Sequence, residues 1–524
     1  MKLLTKFLGL LLTLTLLAPA LAKSDKHRNN EETVKYVQGG APSGGTGTKK
    51  HPFATFKEAS VSTWDVLIVL PSAVALTDGI TLTNQKLIGD ICDSNVALFP
   101  KLTTNEVIVM GDGAIENIFF TNMLGSAINY DKAENLIVKN VSIDGFNTKT
   151  PPTGAPAITG TCPQSGNTLI ENVIIRNDNG ANAGIFDSPT GSGVSRELTV
   201  CGCELTKITN FGIEIAPDNG ASSNVVIQDS YLHDFNNASA NGINLILGST
   251  KSSIQTLLVK KVSFYNVSAP FGNIIVFTLN NESNLQARVD SCSFTETSSE
   301  SGTQNVFGIL SRNTSSSSEI VVENSVSTNV DAFFAERLKN SINQENRLYG
   351  NAVSVTIPTS TGGTFYNTRI TSAGTVITDI QGNIFNGTTG IQISASSSST
   401  YSPLYITAEH NCFTGTGNAF DTTTTGNIGT AVIDAHCNSF SGFNPDIKDA
   451  GSNVAYLVSN NFWGPLKPCT GTTCPASQIC QNGFCLGPTT SLGSPGNSFL
   501  GFLDASDPLT ASIKCPKPCH SFDI

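Results

Sequence analysis

The sequence predicts an all-β fold, a right-handed parallel β-helix of about 13 coils, and three observations carry that expectation. One short pattern recurs through most of the chain at a spacing of about 29 residues. Each period holds about three short stretches of alternating apolar residues, the signature of strands. No stretch of the body shows the apolar spacing of an amphipathic helix.

A turn residue marks each period. It falls at Asn117, Asn140, Asn172, Gly202, Asp229, Lys261, Ser291, Asn324, Gly350, Gly382, His410, Cys437 and Asn460, in steps of 23 to 33 residues. Apolar alternation flanks it, as in Leu136-Ile-Val-Lys-Asn140-Val-Ser-Ile143 and Leu257-Leu-Val-Lys-Lys261-Val-Ser-Phe264. Between markers a small residue leads a further alternation: Gly184-Ile-Phe186, Gly212-Ile-Glu-Ile215, Gly242-Ile-Asn-Leu245 and Gly390-Ile-Gln-Ile393. Propeller blades need about 40 residues and leucine-rich repeats need a consensus that is missing, so a coil of three strands fits best. Coils stacked at ~4.8 Å make a rod on the order of 60 Å long. Asparagines at the marker, such as Asn140, Asn172, Asn324 and Asn460, are suited to bond one another along the axis.

The ends read differently. Lys2 and Lys6, an apolar run over 7–17 and Ala20-Leu21-Ala22 have the pattern of a secretory leader over 1–22. The run is shorter than the roughly 20 residues of a membrane span, and no second long apolar stretch follows. The mature chain is therefore expected to be secreted, extracellular or periplasmic, without a transmembrane segment. Residues 23–64 form an N-terminal cap region, with a short helix from Pro52 to Ala59 that places Phe53, Phe56 and Ala59 on one face. The β-helix runs over 65–464. A tail over 465–524 carries Cys469, Cys474, Cys480, Cys485, Cys515 and Cys519, which read as a disulfide-stapled knob whose pairing spacing alone leaves open. The tail has no Cys-x-x-Cys pair to mark a zinc site, so no metal is expected there.

Composition narrows function. The chain of 524 residues has a net charge of −11 and only 14% charged residues. An acidic chain this poor in Lys and Arg is expected to be a poor nucleic-acid binder, so no nucleic-acid partner is expected. On the Gly-Ile-x-Ile strands the outward positions are expected at Asn129, Phe186, Glu214, Asn244, Val276, Leu310, Phe334 and Gln392. Glu214 is the acid among them, and Asp187 at a nearby strand end is its candidate partner. Solvated surface carboxylates are the rival reading of that pair. Phe186, Leu310 and Phe334 are candidates to stack on sugar rings, and Asn244 to bond them. On another sheet Lys260, Asp290 and Glu323 fall on successive coils as a charge ladder. His233 with Asp234, and His436 with Glu409, read as surface pairs.

The chain resembles the right-handed β-helix proteins of the pectin-lyase-like superfamily. The likeness rests on Tyr36-Val37, Gly44-Gly-Thr-Gly47, His51-Pro-Phe-Ala-Thr-Phe56 and Leu87-Ile-Gly89 near the start, and on Asn461-Phe-Trp-Gly464 with Phe499 to Leu503 at the close. It spans about residues 34 to 510 and implies fold rather than activity, because this fold hosts lyases, hydrolases, epimerases and adhesins. The polygalacturonase pattern is missing its Asp-Asp pair and Gly-His-Gly, and Arg337-Leu-Lys339 stands without them. The expected function is therefore binding of a polysaccharide or cell-surface ligand. The alternative is a lyase or glycoside hydrolase, with Ca2+ as the cofactor of a lyase.

Overall fold

The computed structural model describes residues 32–90 and 101–492, apart from interior stretches such as 236–240, 268–272, 296–304, 312–315, 355–362, 396–402, 425–430 and 469–478. The leader expected over 1–22 lies outside the described residues, as do Cys469, Cys474, Cys515 and Cys519. Cys480 and Cys485 are register partners on the antiparallel strands Ile479–Gln481 and Phe484–Leu486.

The body is a parallel β-solenoid of about 12 turns, against the 13 that the markers suggest; the last marker, Asn460, is outside the described residues. A single turn shows the plan. Strand Ser222–Gln228 lies on what we term the second face, Tyr231–Phe235 on the third and Asn241–Leu247 on the first. Strand Ile254–Lys260 then begins the next turn. Each strand pairs in parallel with its counterpart one turn on: Val225 with Leu257, Leu232 with Phe264, Leu245 with Phe277. In the early turns Ile80–Gly89, Val107–Glu116 and Ile128–Lys139 run round the corner between first and second faces without ending. Register shifts at Thr83/Gln85 and Gly111/Asp112 bend them there, as bulges do. These two faces therefore form one 28-stranded sheet, and the third face forms a 14-stranded sheet.

The marker residues are the corner between second and third faces, and their backbone explains their composition. From Asn117 to Cys437 all twelve have φ between 49° and 64°. That left-handed conformation costs an ordinary residue roughly 1–2 kcal/mol and suits Asn, Asp and Gly. At Gly202 the corner is also tight, since a Cβ would come within 2.6 Å of Asn172 Oδ1. Exposed bonds from Asn140 to Asn117 (3.1 Å) and from Asn172 to Asn140 (3.3 Å) realise the expected ladder at the marker. Asn324 bonds Asp290 instead (3.2 Å).

The stronger ladder lies one residue later, where the chain turns inward. That column reads Ile118, Val141, Val173, Cys203, Ser230, Val262, Cys292, Ser325, Asn351, Asn383, Asn411, Asn438 and Asn461, all buried. Its last five members are linked. Asn351 Nδ2 donates to Asn383 Oδ1 (3.0 Å), Asn383 to Asn411 (3.0 Å), Asn411 to Asn438 (2.9 Å) and Asn438 to Asn461 (3.0 Å). Each accepting Oδ1 also takes the backbone N–H of the asparagine before it. Each Nδ2 gives its other proton to the end of a second-face strand, such as Ile380 O from Asn411 (2.8 Å). These buried amides are thus saturated by bonds that only the neighbouring turns can supply.

Elsewhere the interior is apolar and aromatic. Phe264 stacks on Phe294 at 5.0 Å, and Phe333 on Phe365 at 5.4 Å. The helix near the N-terminus is shorter than expected, Phe56–Ser60 rather than Pro52 to Ala59. Thr55 Oγ1 accepts the Glu58 N–H (3.1 Å), which starts the helix at Phe56. Phe53 stays extended in a bridge to Val37. Phe53, Phe56 and Ala59 are buried together, as the spacing anticipated. No helix among the described residues is long and apolar enough to cross a membrane.

Removing one rung of the amide ladder by Asn411→Ala should leave Ile380 O and Asn438 Oδ1 short of a donor. The expected loss is about 2 kcal/mol, read as a lower urea midpoint. A midpoint unchanged from wild type would show that the ladder contributes nothing net. Burial pushes the thiols of Cys162 and Cys292 up to about 12 and that of Cys203 up to about 11. These three should resist a thiol reagent in the native protein and react once it is unfolded.

Candidate functional site

On the first face alternate residues point outward, and in-register pairing turns them into columns. One column runs Asn129, Thr159, Phe186, Glu214, Asn244, Val276 and Gly308 on successive turns. Phe186, Glu214 and Asn244 are therefore direct neighbours, as the sequence predicts. Glu214 is half-buried, and its carboxyl is pushed up to about 7 by that burial, against a weaker opposing pull from the Asn244 amide. Asn244 Nδ2 donates to Glu214 Oε1 at 3.4 Å. Near neutral pH this carboxyl can serve as an acceptor when ionised or a donor when protonated, beside an aromatic ring.

Three expected site residues are placed otherwise. Asp187 follows Phe186 on the same strand, so it must point the other way. It is 0% exposed inside the solenoid. Tyr130 Oη donates to its Oδ1 (2.9 Å). Burial raises its pKa, opposed by the Arg196 charge and by that bond. Arg196 is buried too, donating to Ala133 O (2.9 Å) and Thr168 Oγ1 (2.7 Å). The sheet thus separates Asp187 from Glu214, and the two cannot act on one substrate bond. Phe334 is also 0% exposed, stacked on Tyr366 at 5.9 Å. Its neighbour Ala335 is register partner to Gly308 and holds the outward position instead. Leu310 does face outward, but in the neighbouring column with Thr278.

The second face carries a feature the sequence reading did not single out. A cleft of about 430 Å³ opens there, lined among others by Gln286, Glu319, Glu345 and Ile377. These four occupy one column on successive turns. Each stands five residues before its marker, so the regular offset was legible once the outward phase of this face was known. Arg347 spans the two acids: Nη1 lies 3.0 Å from Glu319 Oε1, and Nη2 contacts Glu345 Oε1. The charge ladder expected nearby is present, with Lys260 3.9 Å from Asp290 and Arg288 paired with Glu323. His436 bonds Glu409 (2.7 Å), and His233 bonds Asp234 (2.8 Å) while stacking on Tyr231. Among the described residues no group of three or more His, Cys, Asp or Glu side chains is placed to hold a metal ion.

Beneath the cleft the interior turns polar. Ser318 Oγ bonds Gln344, and Gln344 Nε2 donates to Asn346 Oδ1 (2.6 Å). Asn346 Nδ2 reaches Glu336 and Thr378. Tyr366 Oη lies 3.0 Å from Glu336 Oε1 and 2.9 Å from Thr378 Oγ1. Glu336 is wholly buried, and burial drives its carboxyl up to about 8 against the bonds from Tyr366 and Asn346.

No protein-family model and no curated protein matches this chain. Among solved structures, a chain described as a rhamnogalacturonan lyase is similar at 10% sequence identity, with a TM-score of 0.27, over 68% of this chain and 82% of that one.

The Glu336 shift has a consequence for stability. Its folded pKa lies near 8, above the ordinary value of 4.5. Folding therefore favours the protonated acid. Its contribution is fully present below about pH 4.5 and is lost as pH rises through about 8. Glu336→Gln, which keeps the neutral shape, should flatten that decline, so that its urea midpoint exceeds wild type at pH 8 and above. Parallel pH profiles for the two proteins would show that Glu336 does not titrate in this way.

Proposed function

We propose that this protein is an exported, right-handed β-helix that binds a polysaccharide or a cell-surface glycan along its first face. The observation that carries the reading is the run of Phe186, Glu214 and Asn244 on successive turns, with Glu214 half-buried and poised near neutrality. Rungs ~4.8 Å apart match a ligand that is itself extended and repeating. An aromatic ring offers a flat apolar surface to the C–H face of a sugar, and the half-buried Glu214 carboxyl, backed by the buried Asn244 amide, serves its hydroxyls. The leader pattern over 1–22 supports export, and an oxidising compartment would permit disulfide stapling of the tail cysteines. The low content of Lys and Arg argues against a nucleic-acid partner.

Cleavage is the alternative, and one observation favours it: a carboxyl near pKa 7 is suited to general-acid work. Hydrolysis needs a second carboxylate roughly 5 to 9.5 Å away, and Asp187 lies on the wrong side of the sheet for that role. Calcium would enter only with a lyase reaction. Binding without turnover is therefore the stronger reading.

The test is retention of the mature protein on acidic and neutral polysaccharides, with and without calcium, while reducing ends and the ultraviolet absorbance of unsaturated products are followed. Retention without turnover is expected. Phe186→Ala should weaken it roughly tenfold, the equivalent of one ring stack. On an acidic polysaccharide retention should strengthen as pH falls below about 7, where Glu214 becomes neutral, and Glu214→Gln should abolish that dependence. Turnover that disappears in Glu214→Gln would make the protein an enzyme. Retention indifferent to both substitutions would remove the first face as the site.

A further inference from the structure

The cleft on the second face has its own chemistry, and it does not rest on the reading of the first face. Its walls come from four successive turns, the strands Asn284–Asp290, Ser316–Glu323, Ile342–Tyr349 and Val376–Gln381. Its volume of about 430 Å³ falls within the ~300–1,000 Å³ usual for small-ligand sites.

Glu319 and Glu345 are on adjacent turns and both face out into the cleft. Two carboxylates one rung apart would repel, and Arg347 holds them together through Oε1 of each. The guanidinium is in turn held charged more firmly than usual: burial works against it, and the bond to Glu345 and the charges of both acids outweigh that. The salt bridges engage Oε1 of each acid and leave Oε2 of each as an acceptor. Gln286 precedes them in the column, and Asn284 and Asn343 line the same wall, each amide offering donors and an acceptor. Ile377 closes the column, 44% exposed, as an apolar step.

The floor is rigid. Ser318 and Gln344 line the cleft and are both more than nine-tenths buried. The chain of hydrogen bonds that begins at these two runs on through Asn346 to Glu336 and Thr378 in the core. A floor fixed in this way need not be ordered when a ligand arrives.

We propose that this cleft is a second saccharide site, one that takes a neutral, hydroxyl-rich sugar unit on the second face. Acceptor carboxylates, amides and an isolated apolar step match a ligand with alternating hydroxyls and a C–H face. An anionic sugar meets two acids against one base and is disfavoured. A bare cation is disfavoured because the Arg347 guanidinium already stands between the carboxylates.

Calorimetric titration with short neutral oligosaccharides, and separately with calcium chloride, tests the assignment on the full mature chain. The variants are Gln286→Ala, Glu345→Gln and, for the other face, Phe186→Ala. A neutral oligosaccharide should bind, with affinity falling roughly tenfold in both cleft variants and unchanged in Phe186→Ala. Thermal midpoints are recorded alongside; should Glu345→Gln lower its midpoint, Gln286→Ala decides, since Gln286 takes no part in the Arg347 salt bridges. Binding indifferent to the cleft variants, binding of calcium in place of sugar, or no neutral oligosaccharide bound at all would each overturn the proposal. Failure of the first-face reading would show instead as indifference of acidic polysaccharide retention to Phe186→Ala.

Discussion

Hydrogen bonds between turns run along the axis, so every side chain inherits the position of its counterpart one turn before. That single constraint, exact stacking at a fixed rise, organises the rest of the molecule. It requires a corner that repeats, and the corner is a residue at positive φ on every described turn from Asn117 to Cys437. It also requires that whatever enters the core do so in columns. Apolar columns pack as stacked rings and branched chains. Polar columns survive only where one turn satisfies the next, as the amides from Asn351 to Asn461 do.

Stacking alone does not explain the two polar clusters deep in the solenoid. Around Tyr130, Arg196 saturates much of its fork on Ala133 and Thr168 while Asp187 takes the tyrosine hydroxyl. Around Tyr366, Glu336 is held by a phenol and an amide. Neither cluster forms a regular ladder, and each leaves a carboxylate oxygen unbonded, Asp187 Oδ2 and Glu336 Oε2. Burying such groups opposes stability unless the acids are protonated or well bonded. The second cluster continues into the cleft floor, which gives its polarity a use at the surface.

Much of this was legible in the residues. The markers were found from composition and spacing alone, and their conformation confirms what Asn, Asp and Gly shared with Lys261 and Cys437. The column Phe186, Glu214, Asn244 followed from strand alternation. Phase was harder to read. In Ala332–Leu338 two phenylalanines stand side by side, and strand alternation alone does not say that both are buried; register with Gly308 puts Ala335 outside. Asp187 misled for a similar reason, because an acid at a strand end reads as exposed and this one is bonded to a buried tyrosine. The buried ladder was missed by one residue, since a marker and its successor were both rich in Asn and only the second faces the core. The cleft depends on the outward columns of the second face, whose plainest signal in the sequence is the charge ladder two columns away.

The amide ladder also has a direction. Each asparagine gives its amide hydrogen to the next turn toward the C-terminus and receives one from the turn before. An extra turn spliced anywhere between Asn351 and Asn461 would have to bring an asparagine of its own at that position, or orphan a donor above and an acceptor below. Upstream, the same column holds Val173, Cys203, Ser230 and Val262, with a backbone bond from the Cys203 N–H to Ser230 Oγ (3.1 Å) but no amide ladder, so a new turn faces a weaker entry condition. The solenoid is thus permissive of lengthening in its N-terminal half and selective in its C-terminal half, so variation in the number of turns among related chains should accumulate on the N-terminal side of Asn351.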